Sequence, residues 1–315
     1  MGNPEASVLE YKVDYILPYI DFNQKEIQSL WYETTGVQIQ ELARNYTYLD
    51  LELTIKLILK NLPFINKLYI TCKDVQQFPI EVQRLIDASN GKIIRVNESE
   101  FMPNNYITFS SACIEMFIWR IPGLSDYFRY SNDDMLPLKP LTIGHFFNNK
   151  VPIQYLEYGR NGLESIYDLH LSNATNLVLN RYQSNDDYKS TYYPRHTLRP
   201  MLKRVCQECY NKYKKFIDSS LTPLRCYNNL NFDFFLIYAL NNNLLVNKPI
   251  DYNFQYIDST DIKGLQTIYN NMQLGMYNNV PHIVCINDGA CSKDKIDQIK
   301  NICDNIMSKS LIRTV

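Results

Sequence analysis

Tyr127-Phe-Arg-Tyr-Ser-Asn-Asp-Asp-Met-Leu-Pro137 is the stretch on which the reading of this chain turns. Tyr127 to Tyr130 is an aromatic, strand-forming run, and Ser131 and Asn132 are turn formers, so the pattern predicts a strand that re-enters a sheet and stops. Asp133 and Asp134 then stand side by side at the carboxyl end of that strand. Two adjacent carboxylates there suit Mg²⁺ or Mn²⁺, which take one or two carboxylates together with substrate phosphate oxygens. Alone, such a pair is more commonly a turn or capping feature. The rest of the chain supplies the context.

Upstream, short β-branched runs alternate with helical stretches. Val13 to Leu17 reads as a strand ending at Pro18, and Lys67 to Cys72 and Lys92 to Val96 read as two more. Leu51, Ile55, Ile58, Leu59 and Leu62 recur at helical spacing before Pro63, a second helix covers Ile80 to Ala88, and Ser110 and Ser111 are N-caps for a third. That third helix presents Ile114, Phe117, Ile118 and Ile121 and is ended by Pro122-Gly123. Strand and helix in alternation predict an α/β fold, a largely parallel sheet with helices on both faces. Ligands of such sheets bind at the carboxyl ends of the strands, here Pro18 to Asp21, Cys72 to Asp74 and Asn132 to Asp134.

From Thr142 to about Pro194 no period persists, and the expectation is an irregular insertion over the active face. Regularity returns with helices at Met201 to Phe216 and Phe232 to Leu240. A strand at His282 to Ile286 and a final helix through Ile296, Ile299, Ile302, Cys303 and Ile306 follow. No G-x-G-x-x-G or Walker pattern is present, which argues against dinucleotide and P-loop sites.

Lysine and arginine total 32 against 33 acidic residues, so the near-neutral balance excludes a generic nucleic-acid binder. Lys203-Arg204 and Lys212 to Lys215 read as solvated helix faces. No apolar run approaches the roughly 20 residues of a membrane span, and no signal peptide opens the chain, so the expectation is a soluble, cytoplasmic protein, with any membrane association coming through partners. Cys206 and Cys209 have metal-like spacing, but both fall on the apolar stripe of their helix without a second Cys/His pair. Buried, reduced core cysteines are the better reading.

The segments Phe109 to Glu115, Arg120 to Ser125 and Tyr130 to Met135 together closely resemble the second signature region of the Stealth family. That family includes bacterial capsular polysaccharide hexose-1-phosphate transferases and the catalytic subunit of the lysosomal-enzyme GlcNAc-1-phosphotransferase. Leu62 to Thr71 resembles the family's helix-to-strand segment. Val13 to Asp21 resembles the first region. His196, Pro200-Met201, Arg225 and Asn229 resemble the third, and Cys285-Ile-Asn-Asp288 the fourth. There are departures: Glu52 and Lys56 stand where the family usually has two arginines, Tyr19 and Phe22 replace its usual Trp and the Gly after it, and Asn229 occupies a position that is acidic in some members.

The resemblance implies a single Stealth-type domain across 1–315, Rossmann-like and GT-A-like, with a nucleotide-binding core at about 10–141, the excursion at 142–194 and the second half of the site at 195–315. It implies a UDP-sugar donor, an oligosaccharide or polysaccharide acceptor and a Mg²⁺ (or Mn²⁺) cofactor. Asp133 and Asp134 would hold the metal, with Asp288 as a further ligand or a carboxylate facing the acceptor, and Pro18, Tyr19, Asp21 and Arg120 would face the nucleotide. His196 would be general base on the acceptor hydroxyl, or else a capping or surface histidine. Arg225 would grip phosphate, or else form a surface ion pair. Arg195 and Arg199 are further cations for the phosphates, and Arg120 alternatively pairs with Glu115. Two rival functions remain at this point: a conventional glycosyltransferase that releases UDP, and a non-catalytic sugar- or partner-binding relative.

Overall fold

A computed structural model describes residues 11–39, 49–161, 165–181, 190–195, 197–249, 252–258, 261–287 and 293–312. Its first half holds the expected strands and helices in order, with an unexpected helix, α1, after the first strand: β1 (Val13–Pro18), α1 (Lys25–Thr35), α2 (Leu51–Asn61), β2 (Ile65–Cys72), α3 (Ile80–Ala88), β3 (Ile93–Asn97), α4 (Ser111–Glu115) and β4 (Tyr127–Tyr130). Then follow β5 (Met135–Pro137), β6 (Phe147–Asn148), β7 (Val151–Gln154), β8 (Leu156–Asn161), α5 (Ile166–Val178), β9 (Ser190–Pro194), β10 (Arg199–Leu202) and α6 (Lys203–Ser219). The chain ends with α7 (Asp233–Asn241), β11 (Val246–Asn247), β12 (Phe254–Asp258), α8 (Ile262–Gln273), β13 (Ile283–Asn287) and α9 (Lys293–Ile312).

The central sheet has the order β10-β4-β1-β2-β3. Strands β1 to β4 are parallel to one another, and β10 closes the edge antiparallel to β4. Chain order therefore reverses between β1 and β4. The carboxyl ends of those two strands flank the crevice where doubly wound sheets bind ligands. A second sheet, β12-β13-β5, extends the chain just past the carboxylate pair, with β5 antiparallel to β13.

Local causes are plain in β1, which is buried on both faces as a central parallel strand should be. Asp14 lies inside it without cost to the fold, because its carboxylate accepts from Asn66 Nδ2 (2.7 Å), the Lys67 amide (3.1 Å) and the Ser125 amide (2.7 Å). The α2 helix is capped by Asp50, which accepts from the Leu53 amide at 2.9 Å, and it stops before Pro63. As the crossover helix between β1 and β2, it starts at the carboxyl ends of the strands, so its positive dipole end faces the ligand crevice. Gly123, at φ +74°, makes the turn that lets its carbonyl accept from Tyr69 Oη at 2.8 Å.

One core wraps the central sheet; the other joins Leu57 of α2, Leu136 of β5 and Ile286 of β13 to Leu265 of α8 and Ile299 and Ile306 of α9. Each of these side chains contributes about 1.5–3 kcal/mol on burial. Cys206 and Cys209 are fully buried, and burial pushes both thiols well up, so neither is poised to bind metal.

Three expectations need correction. The 142–194 stretch is not irregular: it holds β6 to β9 and the thirteen-residue α5. Met201 and Leu202 belong to β10, because pairing with Phe128 and Tyr127 of β4 overrides their helical spacing. The helix capped by Ser110 ends at Glu115, and a separate 3₁₀ turn carries Ile118 to Arg120. Among the described residues no helix is long and apolar enough to cross a membrane.

Candidate active site

Asp133 and Asp134 leave β4 at the reversal point and lead directly into β5. Ser131, just before them, is tied back to β1: its amide donates to the Ile16 carbonyl (3.3 Å), and its hydroxyl meets Tyr15 Oη at 2.7 Å. Asp134 is held by β13, whose Ile286 amide donates to the Asp134 carbonyl at 2.9 Å while Cys285 Sγ approaches its carboxylate at 3.3 Å. Asp133 is exposed at the surface, yet enough protein packs around its carboxyl to strip part of its hydration. That lost hydration, and secondly the charge of Asp134, push its carboxyl up to about 7.

Beside the pair lies a buried polar network. Arg199 Nε meets Asp233 Oδ1 at 3.0 Å, a charge contact whose alignment falls short of a hydrogen bond. Arg199 also reaches Asn132 Oδ1 at 3.5 Å, the residue that precedes the carboxylates. Asp233 accepts from Tyr167 Oη (2.8 Å) and Asn231 Nδ2 (3.2 Å). Glu115 accepts from Tyr130 Oη (3.0 Å) and the Phe232 amide (3.0 Å), and burial raises its pKa against the opposing pull of Arg199. Arg199 is thus corrected from a phosphate-facing cation to a buried structural one. Arg195 is exposed and paired with Glu157. Glu115 is engaged by Tyr130 and Phe232, and Arg120 lies exposed over the Phe117 ring, 5.9 Å from its centroid, so no Arg120–Glu115 pair forms.

The structure brings some expected residues together and leaves others apart. Pro18 ends β1 and Tyr19 follows it at the crevice, the Tyr19 amide donating to the Thr71 carbonyl at 2.8 Å. Asp21 accepts from the Asn23 amide (3.0 Å), Asn23 Nδ2 (2.9 Å) and Gln24 Nε2 (3.3 Å), so its present contacts are those of a turn ahead of α1. Arg225 is exposed and donates to Ser111 Oγ at the start of α4. Its charge acts on Glu115, which in turn accepts from Tyr130 of β4. Arg120 makes no described contact with any of these groups. His196 and Asp288 lie outside the described residues. Glu52 pairs with Lys56 on α2 at 2.6 Å, so the two charges neutralise each other.

Sequence reasoning missed Tyr167, Asp168 and His170, all on α5. The readable signal was Ser165-x-x-Asp168, which forms a capping box: Ser165 Oγ accepts from the Asp168 amide at 3.1 Å, and Asp168 Oδ2 accepts from the Ser165 amide at 3.0 Å. The Tyr256 phenol on β12 is pushed up to about 12 by burial and by the charges around it, Asp134 among them.

No cluster of three metal-ligating side chains is found among the described residues. Asp133 and Asp134 nonetheless fit a hard divalent cation, because an ion of that kind needs only one or two carboxylates when phosphate oxygens complete its shell.

The family model described as Stealth protein CR2, conserved region 2, matches residues 32–154, a span that contains Glu115 and the carboxylate pair. A capsular polysaccharide phosphotransferase of Aeromonas hydrophila, LcbA, is 28% identical over 294 residues, covering 91% of this chain and 79% of the relative. One of Neisseria meningitidis serogroup B is 25% identical over 309 residues, covering 89% of this chain and 78% of the relative. Residues 32–154 thus carry the Stealth conserved region 2, and the chain is similar over about nine-tenths of its length to capsular polysaccharide phosphotransferases. Its fold resembles the solved structure of the WbbM bifunctional glycosyltransferase, with a TM-score of 0.50 at 11% identity, over 97% of this chain and 50% of that one. The chain therefore has the GT-A-like α/β fold, with its carboxylate pair at the sheet's reversal point.

Proposed function

We propose that this chain is a Stealth-type phosphotransferase of capsular polysaccharide synthesis that moves a hexose-1-phosphate, such as GlcNAc-1-phosphate, from a UDP-sugar to a sugar hydroxyl. The observation that carries this reading is the Asp133–Asp134 pair, which follows β4 beside the β1/β4 crevice and is fastened to β13 through the Asp134 carbonyl. The acceptor hydroxyl oxygen bonds to the β-phosphorus, and the bond from that phosphorus to the bridging oxygen breaks. UMP departs, and the hydroxyl proton passes to His196. Arg225 supplies a planar guanidinium for the phosphate oxygens that gain charge during the transfer. Asp133 and Asp134 would hold Mg²⁺ or Mn²⁺, which when bound neutralises phosphate charge.

Incubation with UDP-sugar, Mg²⁺ and an oligosaccharide acceptor tests this directly. UMP by chromatography with a phosphodiester signal in phosphorus NMR supports the proposal. UDP with no phosphorus in the product assigns the chain to conventional glycosyl transfer instead.

A further inference from the structure

Three residues of α5 form one stripe and reach toward the same stretch of chain. Tyr167 Oη donates to Asp233 at 2.8 Å, His170 Nε2 contacts the Cys226 carbonyl at 2.7 Å, and Asn173 Nδ2 donates to the Tyr227 carbonyl at 2.8 Å. Two consecutive carbonyls immediately after Arg225 are therefore gripped by one helix. From the opposite side, Asn229 Oδ1 accepts from the Cys226 amide at 2.8 Å, and Arg225 itself reaches Ser111. The loop that bears Arg225 is clasped at both faces.

A carbonyl oxygen only accepts, so the His170 proton sits on Nε2. The imidazole is almost fully buried, and burial holds its pKa below the ordinary histidine value, with the charge of Arg225 acting in the same direction. It stays neutral and keeps a single donating nitrogen. Cys226 is only half-buried, so its carbonyl can turn to water if the imidazole is lost. The contact thus holds direction more than it holds the fold, since one such bond contributes only about 0.5–1.5 kcal/mol net.

We propose that His170 is a positioning residue for sugar-phosphate transfer: its Nε2–H fixes the Cys226 carbonyl and thereby sets where the neighbouring Arg225 guanidinium meets the donor phosphate. This rests on the assignment of Arg225 to the phosphate. A misplacement near 1 Å at a reacting group costs up to about a hundredfold in rate. Nothing in the sequence pattern advertises the role, because His170 comes from the segment between the two halves of the site.

The test combines steady-state kinetics, melting curves and hydrogen exchange on full-length His170→Ala, His170→Gln and Arg225→Ala proteins and the His170→Ala/Arg225→Ala double variant. His170→Ala is expected to lower kcat/KM at least about tenfold while the melting temperature moves by no more than about 4 °C. Exchange at residues 224–227 should rise. Glutamine, whose side-chain nitrogen can donate to the same carbonyl, should restore most of the rate. In the Arg225→Ala background, His170→Ala should cost almost nothing further. Full activity in His170→Ala, no rescue by glutamine, or an undiminished effect without Arg225 would each overturn the proposal. Should His170→Ala fail to fold, His170→Met fills the volume without a donor, and a failure of both would make the contact purely structural and overturn it as well. A wild-type protein that releases UDP instead of UMP sinks the transfer reaction, whereas a UMP-releasing wild type with a fully active His170→Ala sinks only the positioning role.

Discussion

The Ile286 amide donates to the carbonyl oxygen of Asp134 at 2.9 Å, fastening the last strand of the chain to the second residue of the carboxylate pair. Met135 and Cys285 are register partners, so the Asp134 backbone is set by β-pairing and not by its own side chain. The chemistry of the carboxylate can therefore be changed without unfolding its support. Asp134→Asn is expected to lower turnover by at least about a hundredfold, the lower end of the scale for loss of a general acid or base. Melting curves should stay close to wild type. Normal turnover with matched substrates would remove Asp134 from the reaction.

Asp133 gives a pH signature. Its carboxyl is pushed up to about 7, so between the ordinary carboxylate range and pH 7 the folded, metal-free protein holds a proton that the unfolded chain has released. Stability should therefore fall as pH rises from about 4 to about 7 and level off above, with the slope set by that proton difference. Asp133→Asn should flatten the profile. Mg²⁺ competes with the same proton, so its stabilising effect should grow as pH rises through that window. Urea denaturation in chelator and in Mg²⁺, across pH, measures both.

How much of this was readable without coordinates depends on where polar residues sit. Strands β1 to β4 were visible because buried parallel strands are nearly continuous apolar runs, and Asp133-Asp134 was visible because it directly follows one of them. Helix α5 was not, because Asp168, His170, Ser172, Thr175 and Asn176 are all buried on it. A polar helix inside a protein defeats hydrophobic periodicity, and only its capping box remained to be read. Arg199 was misread for a related reason: its partner Asp233 lies in another element, and sequence spacing cannot show that the pair is buried.

Arg199 and Asp233 yield a stability prediction. Both are almost completely buried, and Asp233 also accepts from Tyr167 and Asn231. Asp233→Asn strands a buried guanidinium, and breaking such pairs typically costs about 3–5 kcal/mol. Urea unfolding should show a loss of that size. A change below about 1 kcal/mol, the median for an exposed pair, would show that water reaches this network.

Asn229 explains its own departure from an acid. Its Oδ1 accepts from the Cys226 amide (2.8 Å) and Ser110 Oγ (3.1 Å), while its Nδ2 donates to the Ser220 carbonyl (2.6 Å) and Thr222 Oγ1 (2.8 Å). A carboxylate keeps the accepting half and loses the donating half. Asn229→Asp should destabilise by about 1–3 kcal/mol or more, the cost of leaving a buried acceptor unmet. Equal stability in chemical denaturation would show that the loop rearranges to suit an acid.

Arg129 poses the opposite case to Arg199. It is fully buried on β4, and among the described residues none of its three guanidinium nitrogens has a hydrogen-bond acceptor. What surrounds it is aromatic: the guanidinium lies 3.4 Å from the Phe146 ring centroid, 5.5 Å from that of Tyr15 and 5.8 Å from that of Phe64. Burial pushes its pKa down to about 10, so it remains charged at neutral pH. Desolvating such an ion costs several kcal/mol, and a desolvated cation–π contact returns about 2 kcal/mol. The balance favours an uncharged side chain of similar length. Arg129→Met should therefore match the wild type or exceed it by about 1–4 kcal/mol. Arg129→Ala should lose about 3 kcal/mol through the cavity it opens among the rings. If the charge is retained for activity, it acts through Tyr15, which shares this face, bonds Ser131 and feels the charge of Asp134. Arg129→Met would then be more stable and slower at once, a combination that unfolding curves and turnover assays on one preparation resolve. A methionine variant less stable than the alanine variant would refute the balance, because it would mean that the ring stack holds the cation more strongly than water does.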